Sequence, residues 1–208
     1  MKINKVLLTG FSPFWGHQQN VSQMAVERLN HAGCYLFQTI ACILPTSFRR
    51  APQLLQEKIT KLRPDIILSL GLLENISAFR FEKIGLNVNH AIQSDIDGDQ
   101  PIHQCISGDG PLAYEVNLPY DPLVKQIKEA RLPVEISYHA ETFVCNHLIY
   151  TTLHLINTNK LPILFGFIHL PRTPEDVKHL PLGTPCMSFE TIIEGLDKAL
   201  ANLPSVYN

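Results

Sequence analysis

Glu141–Ile156 reads ETFVCNHLIYTTLHLI, and Pro162–Ile168 reads PILFGFI. The first stretch has helical periodicity and the second is a short, wholly apolar run of strand length. Just before the helix, Pro133–Ser137 (PVEIS) reads as another strand. The order strand, helix, strand is the unit from which α/β folds are built.

The same alternation extends outward. Lys5–Thr9 (KVLLT) predicts a buried strand closed by Gly10, and Val21–Leu29 a helix with Val21, Met24, Ala25 and Leu29 at helical spacing. Tyr35–Leu44 predicts a second strand. Phe48–Leu62 predicts a helix ended by Arg63-Pro64-Asp65, and Ile66–Leu70 (IILSL) a third strand closed by Gly71. Phe81–Val88 alternates apolar and polar residues as one half-buried strand would. Ser94–Gly110, rich in Asp, Gly and Gln, predicts a long surface loop. Asp121–Ala130 predicts a helix. Ser188–Leu200 predicts a closing helix with Ser188 as N-cap. The pattern implies a three-layer α/β/α sandwich around a twisted sheet, largely parallel or mixed, in a single domain spanning residues 1–208.

Composition narrows the function. With 208 residues, 45% hydrophobic content and a net charge of -2, the chain is an ordinary globular protein with no basic footprint for nucleic acid or an anionic membrane. No apolar stretch has membrane-spanning length, and the N-terminus lacks a signal-peptide core, so a cytoplasmic protein is expected. The five cysteines (Cys34, Cys42, Cys105, Cys145 and Cys186) are odd in number and widely spaced without a CxxC pair. Neither a disulfide framework nor a zinc site is expected. The chain also lacks a GxGxxG loop, a GxSxG elbow and an HExxH pair.

In α/β sheets, ligands bind beyond the carboxyl ends of strands. That rule selects Gly10–Asn20, Gly71–Arg80, His139–His147 and His169–Pro174. Within them, Thr142 reads as an N-cap that sets Cys145 in the first helical turn. Free N–H groups and the helix dipole there stabilise an anion, and the expected effect is a lowered thiol pKa. The same N–H groups could receive an oxyanion. A base is then needed. His169, at the end of PILFGFI, emerges at the carboxyl edge of a strand. His147 is about 200° around the helix from Cys145 and points away, while His154 packs or caps locally. Glu82 could orient the histidine or could face solvent from its strand, and spacing alone does not choose.

These segments resemble the pyroglutamyl peptidase I (pyrrolidone-carboxylate peptidase) family. Thr9-Gly10-Phe11-Ser12-Pro13-Phe14 is similar to its N-terminal signature. Thr142-Phe143-Val144-Cys145-Asn146-His147-Leu148 resembles its nucleophile motif, and Gly166-Phe167-Ile168-His169-Leu170-Pro171 its histidine segment. The resemblance implies a cofactor-free cysteine exopeptidase, commonly a homotetramer, that removes N-terminal pyroglutamate from peptides. It implies Cys145 as nucleophile, His169 as base and then acid, and Glu82 as third member. Phe11, Phe14 and Phe143 would hold the lactam ring.

The chain departs from the family at the pocket. Gly71-Leu72-Leu73-Glu74-Asn75-Ile76 replaces Gly-Gln-Ala-Gly-Gly-Arg, so Leu72 stands where a glutamine lies near the lactam. Ile92 stands where an arginine is usual. His139-Ala140-Glu141 replaces Thr-Ala-Gly, and Glu141 would oppose thiolate formation if it points inward. These departures leave two alternatives: a cysteine amidase for another small N-acyl or cyclic group, and a non-enzymatic binding protein.

Overall fold

The computed structural model describes residues 3–16, 18–32 and 35–207; Cys34 lies outside them. Its main sheet has six strands: β1 (Lys5–Phe11), β2 (Gln38–Leu44), β3 (Ile66–Leu72), β4 (Phe79–Glu82), β7 (Val134–Ser137) and β8 (Leu164–Leu170). Their spatial order is β2-β1-β3-β8-β4-β7. Strands β5 (Ile84–Leu86) and β6 (Ala113–Glu115) form a separate antiparallel pair.

The first four strands run parallel, with β1 against both β2 and β3 and β3 against β8. Of these, β1, β3 and β8 are almost continuously apolar because both sheet faces are covered, whereas the edge strand β2 is only partly buried. Leu7, Leu8, Ile66, Ile67, Phe165 and Phe167 are all fully buried or nearly so. Burying each such side chain is worth about 1.5–3 kcal/mol, which drives this arrangement. Helices α1 (Val21–Ala32), α3 (Asp121–Glu129) and α6 (Phe189–Ala201) pack together in one layer. Helices α2 (Arg50–Leu62) and α4 (Val144–Thr158) pack together in another. A four-residue helix α5 (Pro174–Val177) and a 3-10 turn at Leu203–Tyr207 complete the order. The three-layer α/β/α expectation holds, with a mixed sheet.

Three local expectations are corrected. Phe81–Val88 is not one strand: β4 ends at Glu82, and the chain leaves the main sheet at Lys83 to form β5. Strand β4 is antiparallel to β8 and parallel to β7. Strand β7 therefore runs against β8, and residues 139–147 do not follow a parallel strand's carboxyl end as expected. The N-cap of α4 is Phe143, without a side-chain cap. Thr142 instead donates its hydroxyl to the His90 carbonyl at 2.8 Å. Ser188 does cap α6, accepting from the Thr191 N–H.

Residues 94–110 contain no strand or helix. The segment is nonetheless ordered around Asp95, which is 5% exposed. Its carboxylate accepts from the backbone N–H groups of Phe48, Asp97 and Asp99. Arg50 and Arg49 then pair with Asp97 and Asp99, tying the loop to the start of α2.

Candidate active site

A cavity of about 460 Å³ opens at the carboxyl edge of β1, β3 and β8. Phe11, Phe14, Phe143, Cys145 and His169 all line it. Glu82 lies behind His169, fully buried.

The β4–β8 register explains how Glu82 reaches His169. Arg80 lies opposite His169 and Phe81 opposite Ile168, so Glu82 is diagonal to His169, within reach of a long side chain. Its Oε1 sits 2.7 Å from His169 Nδ1. A buried carboxylate requires a donor, which places the proton on Nδ1 and leaves Nε2 as the free acceptor. The other carboxylate oxygen has no partner among the described residues, so the imidazole is the group that stabilises Glu82. On the other flank, β3 aligns Gly71 with His169, and the imidazole occupies the space a side chain at Gly71 would fill. Phe167 stacks edge-on to the ring with centroids 4.9 Å apart.

Cys145 is the second residue of α4. The first backbone bond of this turn runs from His147 N–H to the Phe143 carbonyl, so the N–H groups of Val144, Cys145 and Asn146 have no intrahelical acceptor. The helix start is held by Asn146, which is fully buried and hydrogen-bonds Leu86 through both N–H and carbonyl, and the Val88 carbonyl. The expected lowering of the thiol pKa is corrected. Burial pushes the Cys145 thiol up, and the Glu82 and Glu141 carboxylates push it the same way, so the resting group is a neutral thiol. Cys145 and His169 share the cavity wall without a hydrogen bond between them among the described residues.

His147 is set apart from Cys145, as its helical phase predicts. Its Nδ1 pairs with the Asn89 side chain at 2.9 Å, and its ring packs edge-on against Phe48. Burial pushes its pKa down to about 4. His154 bonds Tyr114 and lies outside the cavity.

The three pocket departures also border the cavity: Leu72, Ile92 and Glu141 line it. Sequence reasoning missed Trp15, Thr46 and His90, which line it too. Trp15 packs on Phe14 and Phe143 and donates its indole N–H to the Ser94 carbonyl. Thr46 lies two residues past β2, so the strand-end rule applied to that strand would have found it. Among the described residues, no group of three or more His, Cys, Asp or Glu side chains is placed to hold a metal ion. No helix among them is long and apolar enough to cross a membrane.

The pyroglutamyl peptidase family model matches residues 4–204. The pyrrolidone-carboxylate peptidase of Bacillus licheniformis is 38% identical over 192 residues, covering 92% of this chain and 88% of that protein. That of Thermococcus litoralis is 35% identical, covering 95% and 92%. The crystal structure of pyroglutamyl peptidase I from Bacillus amyloliquefaciens superposes with a TM-score of 0.92 at 37% identity, covering 98% of this chain and 96% of that one. The Thermococcus litoralis structure gives 0.92 at 33% identity, covering 99% and 94%. Similarity on this scale extends through the whole sheet and both helix layers, and the chain belongs to the pyroglutamyl peptidase family of cysteine peptidases.

Proposed function

We propose that this chain, acting as one catalytic domain, hydrolyses the amide bond that follows an N-terminal pyroglutamyl residue of a peptide. The observation that carries the reading is the buried His169–Glu82 hydrogen bond, 2.7 Å long, behind a cavity whose wall also holds Cys145. Cys145 is the nucleophile, His169 the base and then acid, and Glu82 the positioning carboxylate.

The neutral thiol defines the first step. His169 Nε2 takes the Cys145 proton as sulfur attacks the scissile carbonyl, so the thiolate forms during attack. The imidazolium created is stabilised by Glu82, whose buried side chain has no other partner among the described residues. The N–H groups at the start of α4, which lack intrahelical acceptors, receive the oxyanion. His169 then returns the proton to the leaving amine. Water, deprotonated by the same imidazole, cleaves the thioester and releases pyroglutamate. Phe11, Phe14 and Phe143 supply apolar surface for a flat, neutral lactam. The sequence supports a cytoplasmic reading, and the family resemblance a homotetramer that works without a cofactor.

The test is release of 7-amino-4-methylcoumarin from its pyroglutamyl amide. The reduced wild type turns it over, and Cys145→Ala and His169→Gln variants of unchanged thermal stability do not. Wild-type protein that leaves the amide intact while iodoacetamide still alkylates Cys145 would move the reading to a cysteine amidase for a different group.

A further inference from the structure

Two polar atoms in the cavity wall are buried without a hydrogen-bond partner among the described residues: Thr46 Oγ1 and His90 Nδ1. Thr46 is 5% exposed. An orphaned buried polar atom is destabilising and is retained where something else satisfies it. Its backbone carbonyl is already occupied by the Ile96 N–H, so the turn is fixed and the hydroxyl is the free element.

Both residues flank Phe143. The Thr46 turn leads into Phe48, whose ring meets that of Phe143 edge-on at 5.2 Å. His90 is clamped to Thr142, which precedes Phe143, by N–H···O=C at 3.0 Å and by the Thr142 hydroxyl at 2.8 Å. The His90 ring is held against His103 with centroids 4.2 Å apart. Leu72, where the family resemblance leads one to expect a glutamine near the lactam, offers no polar side-chain atom, and it lines the same cavity.

We propose that Thr46 and His90 read the polar edge of the pyroglutamyl ring, replacing the side-chain contact that Leu72 cannot make. A lactam carries one N–H donor and one C=O acceptor. The Thr46 hydroxyl donates to the ring carbonyl, and His90 Nδ1, in the tautomer protonated at Nε2, accepts from the ring N–H. Phe143 supplies the face on which the ring lies. This inference rests on the proposed pyroglutamyl specificity and goes further by assigning residues to the lactam edge.

The experiment compares two fluorogenic amides, pyroglutamyl and cyclopentanecarbonyl, the second lacking both lactam polar groups. Thr46→Val raises KM for the pyroglutamyl amide about three- to tenfold with kcat little changed, the loss of one neutral hydrogen bond. Hydrolysis of the cyclopentanecarbonyl amide is unaffected. The melting temperature stays level or rises, because an orphaned hydroxyl has been removed; a purely structural threonine would lower it. His90→Phe keeps the stacking ring and shows the same substrate-dependent loss. Wild-type turnover of the pyroglutamyl amide with unchanged KM in both variants, or an equal loss on both substrates, overturns the assignment. Wild-type failure on the pyroglutamyl amide overturns the underlying function instead.

Discussion

Replacing Gly71 with alanine tests whether the position of His169 limits the chemistry. A Cβ at this position would lie 2.9 Å from His169 Cδ2, 2.9 Å from Phe167 Cζ and 3.0 Å from Phe167 Cε1. Carbon atoms rest at about 3.5–4.0 Å, so the rings must retreat by roughly 0.5–1 Å. Phe167 is fully buried and His169 is 2% exposed, so neither has open space to enter. Overpacking of this kind destabilises by about 1–3 kcal/mol. The ring that moves also carries the 2.7 Å bond to Glu82 and the Nε2 proposed to meet the thiol. Misplacement by about 1 Å costs on the order of 100-fold in rate. The expected result is kcat for the pyroglutamyl amide down about 30- to 100-fold, with KM within about twofold. Thermal unfolding and the rate of Cys145 alkylation are measured on the same sample. A folded Gly71→Ala protein with wild-type kcat refutes the reasoning, as does a loss of activity no larger than the loss of folded protein.

Further predictions concern the thiol and the helix that carries it. Because burial, Glu82 and Glu141 raise the Cys145 pKa, iodoacetamide alkylation of the substrate-free enzyme should still accelerate above pH about 8.5, the ordinary thiol value. Glu141→Gln should shift the profile to lower pH; a wild-type plateau already reached near pH 7 contradicts this electrostatic account. The linked stability has a definite sign. A thiol pKa raised by folding stabilises the native state below the unfolded value and ceases to do so as pH rises through the native one. Thermal melts from pH 7 to 10 should therefore show wild type losing stability relative to Cys145→Ser. Asn146→Leu removes three bonds, two joining α4 to Leu86 at the end of β5 and one joining it to the Val88 carbonyl just beyond. It should lower unfolding free energy by about 2–4 kcal/mol in urea titrations, and a change under about 0.5 kcal/mol would show that these bonds do not anchor the helix.

The apolar strands were legible because burial on both faces writes a continuous apolar run. Hence β1, β3 and β8 were read directly: β1 and β3 are lengthened by the structure through Gly10 and Gly71, which resemble stops but pair in the sheet, and β8 is shifted to Leu164–Leu170. Helix periodicity exposed α4, and its first turn drew attention to Cys145. The direction of β7 was not legible, since a strand's own residues carry no mark of whether its neighbour runs with or against it. Glu82 was ambiguous for the same reason. Its burial comes from pairing with β8 and not from the pattern of its own segment. The thiol's electrostatics were misjudged because helix position is a local signal, whereas burial and the Glu82 carboxylate come from the folded surroundings; Glu141, four residues before Cys145, was the one opposing charge the local sequence did show. Backbone conformation was also hidden: Glu141 has φ 56°, a left-handed geometry that favours glycine, and nothing in its side chain announces it.

The proposed base and its carboxylate belong to paired strands, while the proposed nucleophile belongs to a helix start tied down by side chains of neighbouring segments. These two parts of the machinery have different opening free energies. Amides of β8 lie in the middle of the main sheet and should exchange with solvent only on global unfolding, whereas those of residues 142–147 depend on Thr142, Asn146 and the 86–90 segment and can open locally. Heat or mild denaturant should therefore disable the enzyme from the sulfur side first, with the His169–Glu82 pair still assembled and activity recovering as soon as one helical turn closes again.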